Sequence, residues 1–232
     1  MNYKIEGGNL PVLLCQLEAG EAMMCEGGSM SWMDDEIEMK TEGGGIGKMF
    51  GKMFTGEKIF WNTYVANRAG EIAFASSFPG SIRAIEVTPD KPIIAQKGAF
   101  LASYGNIEIS VFFQKKFKAG LFGGEGFLMQ KFSGNGIVFI EIDGSAVEYD
   151  IPAGDCKIID TGYLAAMDGS CSIDTRTVKG MKNMLFGGEG LFNTVVKGPG
   201  RVILQTMPIQ KTSRSCIAQP TSVSIRTKSG SM

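Results

Sequence analysis

Gly123-Gly124-Glu125-Gly126-Phe127-Leu128 and Gly187-Gly188-Glu189-Gly190-Leu191-Phe192 are two versions of one phrase, and a looser third, Thr55-Gly56-Glu57-Lys58-Ile59-Phe60, precedes them. Each Gly-Glu opens an apolar run. Each run ends in turn-forming residues: Asn67-Arg68-Ala69-Gly70, Ser133-Gly134-Asn135-Gly136 and Lys197-Gly198-Pro199-Gly200. A second apolar run follows every turn, at Ile72-Ala73-Phe74, Ile137-Val138-Phe139-Ile140 and Val202-Ile203-Leu204. The spacing is regular. Glu57, Glu125 and Glu189 recur at nearly equal intervals, and Gly70, Gly136 and Gly200 keep almost the same step. Two landmarks that stay in register through three passes mark an internal repeat.

Earlier landmarks extend the repeat towards the N-terminus. The step from Gly20 to Asp90 equals that from Gly28 to Gly98, and the step from Asp90 to Gly154 equals that from Gly98 to Gly162. The units therefore run over about 10–80, 82–145 and 147–210, in one domain spanning 1–210. Their apolar runs are short, rich in Val, Ile and Phe, and bounded by Gly, Pro, Asn and Asp, as strands are. No segment keeps a helical period for three turns. Each unit reads as two hairpins burying one face, so the expectation is an all-β sandwich or β-helix around one shared core. Gly70, Gly136 and Gly200 are expected in matching turns. Past the third unit, residues 211–232 form a Ser/Thr-rich tail with four basic and no acidic residues, weakly ordered apart from one added strand at Val223–Ile225.

Charge and composition exclude several classes. The 232 residues carry 23 basic and 24 acidic groups, a net −1; without the +4 of the tail the body stands near −5. That balance argues against nucleic acid as the main partner. No apolar stretch reaches membrane-spanning length, and the start, Met1 to Gly8, has neither a signal-peptide core nor a transit pattern, so the expected location is cytoplasmic. The chain has no His, which removes Ser-His, Cys-His and His-metal chemistry. Cys15, Cys25, Cys156, Cys171 and Cys216 are odd in number with no C-x-x-C pair, and read as buried free thiols. Fourteen Met residues read as core filling or an adaptable contact surface rather than a soft-metal site.

Three features bear on chemistry. Gly43-Gly44-Gly45-Ile46-Gly47-Lys48-Met49 lacks the first Gly and the Ser/Thr of a phosphate loop and reads as a Gly-rich connector. Glu57, Glu125 and Glu189 could converge on a cation such as Ca²⁺, but duplication alone explains their equivalence. A carboxylate accepting backbone N–H groups in a tight Gly turn is the preferred reading, so no catalytic residue, metal or cofactor is assigned. The third feature is a basic, apolar segment before each Gly-Glu. Lys48, Phe50, Lys52 and Phe54 stand in the first, Phe117, Lys118 and Phe122 in the second, and Met181, Lys182 and Phe186 in the third. Cations interleaved with large apolar groups suit a protein partner, another subunit or an anionic membrane surface. The alternative is that the aromatic rings tuck under the sheet while the lysines stay solvated.

The repeated G-G-E-G-[LF]-[FL] runs, each followed by a Gly-rich turn and an apolar strand, resemble the altered-inheritance-of-mitochondria family. That family is called TRAP-like after the tryptophan RNA-binding attenuation protein. The likeness covers about residues 1–210, and Thr55-Gly56-Glu57-Lys58 departs from the pattern. It implies a TRAP-like double-stranded β-helix or sandwich of three internal repeats with pseudo-threefold order and no catalytic residues. Fungal relatives are tied to mitochondrial inner-membrane organisation and bacterial ones are largely uncharacterised. RNA binding would come only by analogy with a distant fold relative. The reading that follows is a non-enzymatic structural or interaction module, a homo-oligomer, peripheral to a membrane. A small-molecule-binding β domain is the alternative, and a cupin-type enzyme lacks its His ligands.

Overall fold

Alternating polarity becomes a strand wherever one side can be buried, and β2 (Val12–Leu17) shows the rule: Leu13, Cys15 and Leu17 point inward while their neighbours stay at least partly exposed. The computed structural model describes residues 1–40, 61–115, 127–177 and 192–208. Before β2 lies β1 (Asn2–Glu6), and after it come β3 (Ala22–Glu26), β4 (Trp32–Met33), β5 (Ile37–Lys40), β6 (Trp61–Ala66) and β7 (Gly70–Ala75). The middle of the chain forms β8 (Gly80–Val87), β9 (Ile93–Gln96), β10 (Phe100–Lys115) and β11 (Phe127–Asp143). The last group is β12 (Ala146–Ile151), β13 (Cys156–Asp160), β14 (Leu164–Asp168), β15 (Ser172–Thr177), β16 (Phe192–Lys197) and β17 (Gly200–Gln205). Single 3-10 turns at Lys97–Ala99 and Thr161–Tyr163 are the only helical elements among the described residues. The fold is all-β.

Every ladder between these strands is antiparallel. β2 lies on β7, β8 on the second half of β11, and β12 on β17. β3 lies on β6, β9 on the first half of β11, and β13 on β16. β5 pairs with β6, the end of β10 with the start of β11, and β15 with β16. β4 pairs with β7, the start of β10 with the end of β11, and β14 with β17. Two more ladders, β3 on β10 and β9 on β14, join β3, β5, β6, β8, β9, β10, β11, β12, β14 and β17 into one ten-stranded sheet, while β1, β2, β4 and β7 form a second sheet and β13, β15 and β16 a third. β1 adds an edge to β2, where Tyr3 meets the buried Phe139 edge to face at 5.0 Å.

Two expectations give way to the structure. The core is not one space but three. The first cluster centres on Leu13, Met23, Ile72, Phe74 and Phe139, the second on Phe100, Phe132, Val138 and Ile140, and the third on Phe127, Met129, Leu164, Met167 and Val196. A core between two β layers is only about 10 Å thick, so this many ladders enclose several such spaces. Nor is Ser133–Gly136 a turn. It lies inside β11, which stays in register with β10 through Ile107↔Gly134, Asn106↔Asn135 and Gly105↔Gly136. Gly134 (φ +112°) and Gly105 (φ +94°) adopt backbone that side chains disfavour, and the ribbon keeps its pairs through them. Gly70 and Gly200 open β7 and β17 after short breaks in the strand, and the pairing runs on across the first of them in one antiparallel register, from Ala22↔Val65 to Leu17↔Gly70. The tail, with its expected strand at Val223–Ile225, lies outside the described residues.

Candidate functional site

The segments singled out from sequence all lie outside the described residues: Lys48, Phe50, Lys52 and Phe54; Phe117, Lys118 and Phe122; Met181, Lys182 and Phe186. So do Glu57, Glu125, Glu189 and the Gly-rich stretch from Gly43. The strands that carry those segments are described. Residues 41–60 join β5 to β6, whose ladder ends at Lys40↔Thr63. Residues 116–126 join β10 to β11, ending at Lys115↔Phe127, and 178–191 join β15 to β16, ending at Thr177↔Phe192. Each basic, apolar segment thus connects two antiparallel partners.

A cleft of about 410 Å³ opens where the β3–β4 connection meets β7, β10 and β11. Glu26, Gly27, Gly28, Ser29, Ser31 and Glu141 supply most of its polar wall. The Glu141 carboxylate is fixed by two donors, the Ser76 hydroxyl and the Ser77 N–H, each at 2.9 Å. Ser31 Oγ accepts the Ala75 N–H at 2.8 Å, joining two residues of the lining. Phe100 forms the floor, packed between Trp61 and Phe132 at 5.3 and 5.1 Å between ring centroids. Hydroxyls and carboxylates held this way can accept hydrogen bonds from a polar ligand. Among the described residues no three His, Cys, Asp or Glu side chains gather to hold a metal ion.

Several ordered groups escaped the sequence reading. Asp34 Oδ2 accepts the Glu71 N–H at 2.7 Å, and Asp168 Oδ2 accepts the Arg201 N–H at 2.9 Å. The same two residues take the N–H of Ile37 and of Cys171 on their backbone oxygens, both at 3.0 Å. The available signal was spacing, since Asp34 and Asp168 are separated by the same interval as the repeat landmarks Gly20 and Gly154. Glu21 gathers the Met1 amino group, the Tyr104 hydroxyl at 2.6 Å and the Glu18 N–H at 2.9 Å. These donors, the amino group first, hold its carboxyl down at about 2. Cys15 and Cys25 are fully buried, and burial pushes both thiols up to about 12. Cys156 departs from the expected buried thiols: it is exposed at the start of β13, and Cys216 lies outside the described residues.

Residues 3–207 match the family described as mitochondrial biogenesis AIM24, nearly the whole chain. The chain belongs to that family. As an AIM24-family member it resembles an uncharacterized protein of Streptococcus pyogenes serotype M6, 28% identical over 210 residues that span 87% of this chain and 83% of the relative. It also resembles the crystal structure of a Streptococcus pyogenes protein, with a TM-score of 0.77 at 25% identity, over 93% of this chain and 98% of that one. Neither description states an activity. Among the described residues of this AIM24-family chain no helix is long and apolar enough to cross a membrane.

Proposed function

We propose that the chain is a non-enzymatic structural module, built from three TRAP-like β units, that works in the cytoplasm by associating with copies of itself and with a partner surface. The observation that supports it is the position of the three basic, apolar segments. Each connects the two strands of an antiparallel pair, β5–β6, β10–β11 and β15–β16, and those pairs hold the same place in the ladder order of their group. Equivalent strand ends in a repeated fold emerge at equivalent places, so lysines and large apolar groups would be offered three times over. An anionic membrane or a protein surface is the chemistry such a set fits.

Replacing Phe50, Phe117 and Met181 together by Ser tests this reading through native mass and binding to anionic vesicles. Loss of either association in a folded variant supports it. A fold lost with the triple change would show these side chains to be core, and unchanged mass with unchanged vesicle binding would reduce the segments to connectors. A small-molecule reading has the cleft on its side. A polar ligand seated between Glu26 and Glu141 should raise the thermal midpoint of the wild type and not that of Glu141→Ala.

A further inference from the structure

Two ladders join one group of strands to the next. In the first, Met23, Met24 and Cys25 of β3 face Tyr104, Ser103 and Ala102 of β10. In the second, Ile93, Ile94 and Ala95 of β9 face Asp168, Met167 and Ala166 of β14. The two are related by the repeat. Cys25 leads to Ala95 by the step that takes Gly20 to Asp90, and Ala102 leads to Ala166 by the step that takes Asp90 to Gly154. That second step, applied to Ile93, Ile94 and Ala95, arrives at Lys157, Ile158 and Ile159 of β13. The first step, taken backwards from Ala102, Ser103 and Tyr104, arrives at Trp32, Met33 and Asp34, at β4. Among the described residues β13 is laddered only to β16, and β4 only to β7. The third joint has both of its halves, and they are not joined to each other.

Exposure follows the same line. Ile158 is 50% exposed, whereas Ile94, its counterpart within a completed joint, is 0% exposed. Trp32 is 51% exposed, whereas Ala102 and Ala166 are 0%. Met33 is half-buried, while Ser103 and Met167 are fully buried. Free strand edges that carry large apolar side chains are ready templates for another chain, and folded proteins usually blunt or cover them.

We propose, building on the three-unit, self-associating reading above, that a second copy of this chain completes the joint. β13 of one copy ladders antiparallel onto Trp32–Asp34 of the next, with Ile159 opposite Trp32, Ile158 opposite Met33, and Lys157 opposite Asp34. The backbone edges supply the hydrogen bonds, Ile158 and Trp32 leave water, and the ammonium meets a carboxylate. Lys157 is held at that edge, with Nζ 3.9 Å from the centre of the Tyr149 ring. Asp34 is fixed by the Glu71 N–H. Because the two edges are different surfaces, the contact is heterologous, so copies add head to tail until a ring closes or a filament grows.

Ile158→Glu and Trp32→Glu test this, since each alters a side chain that is half exposed in the single chain. Native mass should show the wild type larger than a dimer and each variant as a monomer, with thermal melts confirming that both are folded. An equimolar mixture of the two should form a dimer and nothing larger, because one intact edge of each kind remains. Should either variant fail to fold, Lys157→Glu reads the same edge, and its assembly should weaken by about tenfold or more and recover in part with salt. Variants that keep the wild-type mass would overturn the joint while leaving self-association by another surface intact. A mixture that stays monomeric would overturn the head-to-tail arrangement, and a monomeric wild type would overturn the self-association reading with it.

Discussion

Gly105 stands directly opposite Gly136 in the β10–β11 ladder, and a Cβ at Gly136 would lie 2.1 Å from the Tyr104 carbonyl oxygen. Close by on the same strand, Gly134 combines φ +112° with a Cβ position 2.1 Å from the Asn106 oxygen. No side chain can be accommodated there without moving backbone. Gly134→Ala should therefore destabilise the protein by about 2–4 kcal/mol, read as a lower denaturation midpoint with unchanged slope. Gly98→Ala is the contrast. A Cβ there meets nothing within 4 Å, and the change should stay within about 1 kcal/mol.

The Glu21 carboxyl sits at about 2 when folded, against 4.5 as its ordinary value. A depressed carboxylate stabilises the fold at every pH above its unfolded value, and that contribution fades as pH falls towards the folded one. The thermal midpoint of the wild type minus that of Glu21→Gln should be flat between about pH 5 and pH 7 and shrink steadily from there down to about pH 2. A difference independent of pH across that window would show that the Met1–Glu21–Tyr104 group contributes through packing rather than charge.

Gln205 bridges two groups from inside the core. Its Nε2 donates to the Gly162 carbonyl at 2.9 Å, and its Oε1 accepts the Asp143 N–H at 3.2 Å. Gln205→Leu adds apolar volume at a buried site yet removes both partners. A loss of about 1–3 kcal/mol is expected, measured by chemical denaturation, because the buried Gly162 carbonyl would lose this donor without regaining water. A neutral or stabilising result would show that the bridge is dispensable.

Thiol chemistry should divide by burial. Cys15 and Cys25, with thiols pushed up to about 12, should resist alkylation near pH 8 until the protein unfolds. Cys171, also buried and raised, should behave likewise. Cys156 should be labelled in the native chain at dilutions where single copies prevail. Peptide mapping by mass spectrometry separates the four, and labelling of Cys15 at the rate of Cys156 would contradict its burial.

The all-β class was legible in the linear sequence, because short Val-, Ile- and Phe-rich runs between turn residues leave a helix no face to bury. The spacing of those runs set the offsets that relate Asp34 to Asp168 and Ala102 to Ala166. That Ser133–Gly136 continues a strand was not legible, since the same glycines serve a turn or a continuous ribbon, and the choice is made by Gly105 and Asn106 across the ladder. The segments holding Phe50, Phe117 and Met181 were legible as composition only, because cations mixed with aromatics are compatible with core or contact alike. The edges at Trp32 and Ile158 belong wholly to the tertiary structure. Their side chains do not differ in kind from those of other strands, and what distinguishes them is which strand lies alongside, a relation between residues far apart in the chain. Local chemistry decides that a segment is a strand, and long-range pairing decides which of its edges is left to meet another chain.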